Sequence, residues 1–64
     1  MNVTQYTNKH GDTFYKNDQM QMHREDGPAI EYVNGLVSYY LNGYNFKEEA
    51  YKKEMMKRRL NELI

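Results

Sequence analysis

The 64 residues include no cysteine, no tryptophan, a single proline and only four glycines. Without cysteine there is no disulfide and no thiolate metal ligand, and the absence fits a reducing compartment. A chain this short buries only about 60% of its unfolded surface, so it stands near the lower limit of independent stability, and homodimerisation is one way to supply the missing burial. No apolar run approaches the ~20 residues of a spanning helix and the N-terminus is polar, so no membrane partner is expected and the expected location is cytoplasmic. A net charge of zero argues against a highly basic nucleic-acid binder and a highly acidic mimic of one. That average hides an asymmetry. Residues 1–46 carry three basic and five acidic side chains and residues 47–64 six and four, so the first part is −2 and the second +2.

The strongest positive signal is Ala29–Phe46, where Asn34-Gly35 and Asn42-Gly43 separate three runs rich in β-branched and aromatic residues. Asn and Gly tolerate the positive φ that both central positions of a type I′ turn require, so each pair predicts a tight hairpin. Two-residue turns set the register. Val33 should face Leu36, Tyr32 Val37, Glu31 Ser38 and Ile30 Tyr39; across the second turn Leu41 should face Tyr44, Tyr40 Asn45 and Tyr39 Phe46. Paired residues share a face, which collects Ile30, Tyr32, Val37, Tyr39, Leu41, Tyr44 and Phe46 on a core side. The other side carries Ala29, Glu31, Val33, Leu36, Ser38, Tyr40 and Asn45, with an exposed patch expected at Val33, Leu36 and Tyr40.

Earlier in the chain, residues 2–7 and Thr13–Lys16 read as strands joined by a turn at Asn8–Gly11, and Gln19–Met22 reads as a further short strand after Asn17-Asp18. His23–Pro28 breaks the periodicity and reads as a tight loop braced by Arg24 and Asp26, with Pro28 handing the chain into the strand at Ala29. After Asn45 the pattern becomes helical. Asn45 with Glu48 has the spacing of a capping box, and Glu48–Lys52, Glu49–Lys53 and Glu54–Arg58 are favourable i,i+4 pairs. Phe46, Ala50, Met56, Leu60, Leu63 and Ile64 share one arc, which is expected to cover the sheet. Tyr51 and Met55 then point away, and with Arg58 and Arg59 they are candidate contacts for another molecule.

The halves echo one another: Gln5-Tyr6, Gly11 and Phe14–Asp18 parallel Glu31-Tyr32, Gly35 and Tyr39–Gly43. His23–Ala29 (HREDGPA), then Glu31–Gly35 (EYVNG) and Tyr39–Gly43 (YYLNG), resemble the degenerate MORN-like repeat proteins of bacteriophages and large DNA viruses. The likeness covers about residues 13–50 and implies a small antiparallel sheet, a last Asn-Gly turn running into a charged terminal helix, and a viral accessory role. The denser glycines of MORN repeats proper are missing, so their lipid and scaffold roles are not carried over, and the resemblance transfers no catalytic residue.

Two chemistries compete with plain binding. His23, Glu25 and Asp26, with His10 and Asp12, could be drawn as a metal or general-base cluster, but the spacing matches no recognised site and loop bracing is the better reading. Lys47, Lys52, Lys53, Lys57, Arg58 and Arg59 could contact phosphates, although acidic residues are interleaved and no base-stacking aromatic lies among them. The expectation is a single α+β domain: a small antiparallel β-meander of about five strands over residues 2–44, with one C-terminal α-helix over 46–63 packed on one face. It is expected to be a non-enzymatic viral accessory protein, without cofactor or metal, that binds and inhibits a host protein. The alternatives are a nucleic-acid-binding regulator using the basic helix and a self-assembling structural module.

Overall fold

The computed structural model describes residues 3–62, with side chains through 60. Five strands, β1 (Thr4–Thr7), β2 (Thr13–Lys16), β3 (Ile30–Glu31), β4 (Val37–Leu41) and β5 (Tyr44–Phe46), form one sheet in sequential order, every pairing antiparallel, and the helix α1 (Glu48–Glu62) packs against β4 and β5. This is the α+β meander that the turn and strand signals predict. The start of the first strand at residue 2, and Leu63 and Ile64 of the expected apolar arc, lie outside the described residues.

The two Asn-Gly pairs make different turns. At Asn42-Gly43 both residues have positive φ (50° and 84°), and Leu41 faces Tyr44, Tyr40 faces Asn45 and Tyr39 faces Phe46, as a type I′ turn demands. At Asn34-Gly35 only the glycine is left-handed, at φ 93°. The loop there is Val33-Asn34-Gly35, closed by Gly35 N–H to the Tyr32 carbonyl at 2.9 Å and Tyr32 N–H to the Leu36 carbonyl at 2.8 Å. That is the three-residue hairpin with a left-handed residue at its end. Ile30 therefore faces Ser38, not Tyr39, and Glu31 faces Val37. A slip of one residue exchanges faces. Ile30 joins Tyr6, Phe14 and Ser38 on the side away from the helix, and Glu31 joins Val37 and Tyr39 on the helix side.

The same three-residue loop recurs at Lys9-His10-Gly11 and at Asp18-Gln19-Met20, each closed by the same pair of main-chain bonds. Asn8 and Asn17 begin these loops, and each side-chain oxygen accepts the N–H groups two and four residues ahead. In the third loop the left-handed position is held by Met20, at φ 62°, where a side chain with a Cβ costs about 1–2 kcal/mol. The segment expected as a strand at Gln19–Met22 is thus mostly this loop, and only Met22 makes an isolated bridge, to Lys16.

What joins β2 to β3 is the least regular part of the chain and the best anchored. The Met22 carbonyl accepts from Gly43 N–H at 2.9 Å, His23 N–H donates to Tyr15 and Arg24 N–H to Tyr40. Residues 22–24 thereby lie between β2 and β4 at one end of the sheet, and β3 lies between the same strands at the other. Residues 25–28 bulge out between these two pairings.

The helix begins later than the capping-box reading places it and presents a different face. Asn45 belongs to β5, its side-chain amide donates to the Tyr39 carbonyl, and the first helical turn is closed by Tyr51 N–H to the Lys47 carbonyl at 2.8 Å. Phe46 is also a strand residue, so an arc phased on it is phased on a residue outside the helix. Met56 and Leu60, expected to cover the sheet, are 65% and 57% exposed, whereas Tyr51, expected outside, is 4% exposed. Tyr51 stacks on Tyr39 with ring centroids 4.7 Å apart, a contact worth about 0.5–1.5 kcal/mol beyond the area buried. Two of the i,i+4 pairs form, Glu48–Lys52 at 3.0 Å and Glu54–Arg58 at 3.3 Å.

Candidate interaction surface

The HREDGPA stretch is the junction of sheet and helix. His23 is fully buried. Its Nδ1 accepts from Asn42 N–H at 2.8 Å and its Nε2 lies 2.9 Å from Glu25 Oε2. An Nδ1 that accepts carries no proton, so the ring is the neutral tautomer whose Nε2–H donates to the carboxylate. Glu25 in turn lies 4.0 Å from Arg58 Nη1. Arg24 Nε donates to Asp26 at 2.8 Å, Nη1 donates to the Pro28 carbonyl, and the guanidinium covers the Tyr15 ring at 4.0 Å. Burial alone would push the Arg24 pKa down, but the Asp26 hydrogen bond, Tyr15 and the charges of Asp26 and Glu31 together raise it. The same hydrogen bond holds the Asp26 carboxyl below its usual range.

Tyr51 closes the junction from the helix. Its hydroxyl donates to the Arg24 carbonyl at 2.6 Å and accepts from Gly27 N–H at 3.4 Å. Burial pushes its phenol up, more than the Gly27 hydrogen bond lowers it. The helix face that wins is therefore the one whose polar tips satisfy the loop: a tyrosine hydroxyl for a carbonyl and an arginine for a glutamate.

The seven candidate contact residues separate into distinct places. Val33 and Leu36 are 70% and 65% exposed at the end of the β3–β4 hairpin, beside Tyr32 at 38% and Val37 at 45%. Tyr40 is half-buried in β4, on the side away from the helix. Tyr51 is part of the core, which corrects its expected exposure. Met55 and Arg58 are half-buried on the helix's inner side, while Arg59 is exposed. Val33 and Leu36 thus share a surface with each other, and Met55 and Arg58 share a face with Tyr51 instead. Tyr32 and Val37 were missed because both were counted as core; the three-residue loop turns Tyr32 to the face away from the helix, whereas Val37 stays on the helix side and is exposed there.

That hairpin end is firmly built. Val33 N–H donates to Asp12 Oδ1 at 2.8 Å, and Asp12 also accepts from the Asn8 side chain, so the two hairpin ends are tied together. These bonds, the Val33 amide first, hold the Asp12 carboxyl below its usual range. Asn34 Oδ1 accepts from Leu36 N–H at 3.0 Å.

The ionisable groups do not assemble a reaction centre of the kind drawn from sequence. His10 and Asp12 stand at the first turn and His23 and Glu25 in the buried junction, and among the described residues no three His, Cys, Asp or Glu side chains could hold a metal ion. No helix among them is long and apolar enough to cross a membrane. Of the six basic residues of the C-terminal segment, Lys52 pairs with Glu48, and Arg58 with Glu54 and Glu25. Comparison with protein families, curated proteins and solved structures found no match to this chain.

Proposed function

We propose that this chain is a non-enzymatic accessory protein of the MORN-like viral kind that binds, and by binding inhibits, a host protein. The single observation that carries the reading is that Tyr32, Val33 and Leu36, with Val37 on the opposite face, are left exposed at a hairpin end whose Val33 amide is held by Asp12. Exposed apolar groups on a rigid support are what a protein interface needs: they lose water on contact and little conformational freedom. The catalytic reading has less in its favour, since His23, the one buried imidazole among the described residues, has both nitrogens engaged internally. The nucleic-acid reading loses two of its six cations to intramolecular pairing.

The test is capture from nuclease-treated host lysate with the wild-type chain and with Val33→Glu/Leu36→Glu. A protein retained by the first and released from the second supports the assignment. Capture that survives the double variant, or that vanishes with nuclease, overturns it.

A further inference from the structure

We infer that the free edge of β1 is a pairing surface for a second copy of this chain, joining two sheets into one through antiparallel β1–β1 contact. Strand β1 is the outer strand of the sheet and all four of its residues are exposed. Asn8 N–H donates to the Asp12 carbonyl; by the alternation of an antiparallel ladder, Tyr6 and Thr4 also turn their main-chain groups toward β2. The N–H and C=O groups of Val3, Gln5 and Thr7 consequently face outward. Sheet edges in monomers are commonly blunted by lysine, proline, a bulge or shortness. Thr4–Thr7 has no charge, no proline and an unbroken register with β2. The opposite edge differs: β5 has three residues, Asn45 folds back on Tyr39, and α1 follows directly.

The occupant is argued from how the chain already grows. Its two hairpins, β1–β2 and β3–β4, carry the same three-residue loop and join through antiparallel β2–β3 pairing. Each added unit satisfies the previous edge, and among the described residues the β1 edge is the one left without a unit. A second copy supplies one. A two-fold axis through Gln5 sets Gln5 opposite Gln5, Val3 opposite Thr7 and Thr4 opposite Tyr6, using every outward group of the strand and keeping both helices on one side. It also brings together two shallow apolar grooves lined by Tyr6, Phe14, Lys16, Met20 and Met22. Those grooves lie on the face away from the helix, where Met20 is 60% exposed. The monomer buries just Ala29, Ile30, Leu41 and Tyr51 among the hydrophobic side chains described, so added apolar cover acts where the fold is short of it.

Sedimentation equilibrium of the full chain tests this. The expected mass at high concentration is twice 7.8 kDa. Gln5→Pro removes one outward N–H without touching the β2 ladder, and Gln5→Lys sets two like charges face to face; each is expected to weaken association by roughly tenfold or more. Met56→Glu/Leu60→Glu, on the exposed helix face, is expected to leave the mass unchanged, as is Val33→Glu/Leu36→Glu, which separates this surface from the one proposed for a host protein. In the associated state the Gln5 and Thr7 amides should exchange hydrogen slowly. A monomeric mass at concentrations up to about 1 mM, or a dimer that folded Gln5→Lys leaves intact, overturns the inference.

Discussion

Asn-Gly occurs twice in this chain, at 34–35 and at 42–43, and the backbone treats the two pairs differently. Each pair is flanked by strand-forming residues, so local preference does not separate them. Their neighbours do. The Asn42 amide is held by buried His23 and the Gly43 amide by the Met22 carbonyl, so both turn residues are gripped from the side in left-handed conformations. At the other pair, Asp12 grips the amide of Val33, one residue earlier, and Asn34 caps Leu36 with its own side chain. Val33 is drawn into the loop and the register shifts by one. A turn dipeptide sets which turns are cheap; the hydrogen bonds presented to it choose among them.

The largest effect that would break the comparison lies at His23. Replacing it with alanine leaves a cavity and strands the Asn42 N–H, together costing roughly 2–4 kcal/mol, most of the ~5 kcal/mol expected for a domain this size. Urea unfolding of His23→Ala should show that loss. Local NMR shifts in the remaining folded molecules should move at 42–43 and stay fixed at 34–35. Equal disturbance at both turns would remove the distinction.

Tyr51→Phe comes next. It keeps the stacking on Tyr39 and deletes the hydroxyl that satisfies the Arg24 carbonyl and Gly27 N–H, for an expected cost of about 1–2 kcal/mol in urea unfolding. A stability unchanged from wild type would show that the loop is braced by Arg24 and Asp26 alone. Because this junction also carries residues 22–24, which grip the second turn, the loss should weaken protection of the Gly43 amide more than that of Gly35.

The two turns also explain which parts of the structure were legible in the sequence. The places of the five strands, the antiparallel order, the second turn's register and the Arg24–Asp26 brace follow from short-range chemistry and are present, while the strand read at Gln19–Met22 is mostly loop. The first turn's register depended on Asp12, whose contact with Val33 spans 21 residues. The helix face was misread for a related reason. Two stripes compete on α1, and periodicity favours the more apolar one. The loop favours the other, because Tyr51 and Arg58 supply partners for a carbonyl and a glutamate 27 and 33 residues away. Hydrophobic pattern cannot register a partner of that kind. The exposure of Tyr32 was hidden by the same slip, since a residue's face is only as reliable as the register assumed for it.

A smaller contrast compares alanine at the two asparagines. Asn42→Ala puts a Cβ without a compensating side-chain bond at φ 50°, at a cost of about 1 kcal/mol. Asn34→Ala loses only the bond to Leu36 N–H on an exposed loop, at about 0.5 kcal/mol. Thermal unfolding of the pair should rank them in that order, and a reversed ranking would mean that the Asn34 cap, not the left-handed geometry at Asn42, is the costlier feature to lose.

The mildest perturbation is acid. Asp12 has its carboxyl held below the usual range by the Val33 amide and then by Asn8. A group whose folded pKa is depressed contributes stability that is present above the unfolded value of about 3.9 and fades as pH falls through the folded one. Lowering pH from about 5 to about 2 should therefore loosen the tie between the first two hairpin ends. Asp26, lowered by Arg24, adds to the loss at the loop. Asp12→Asn retains an acceptor for Val33 while removing the charge, so the Val33 amide resonance should stop titrating and that share of the acid sensitivity should vanish. If Val33 in the wild type shows no acid transition below the usual carboxylate value, Asp12 does not govern the first turn, and the explanation for its register must lie with Asn34 instead.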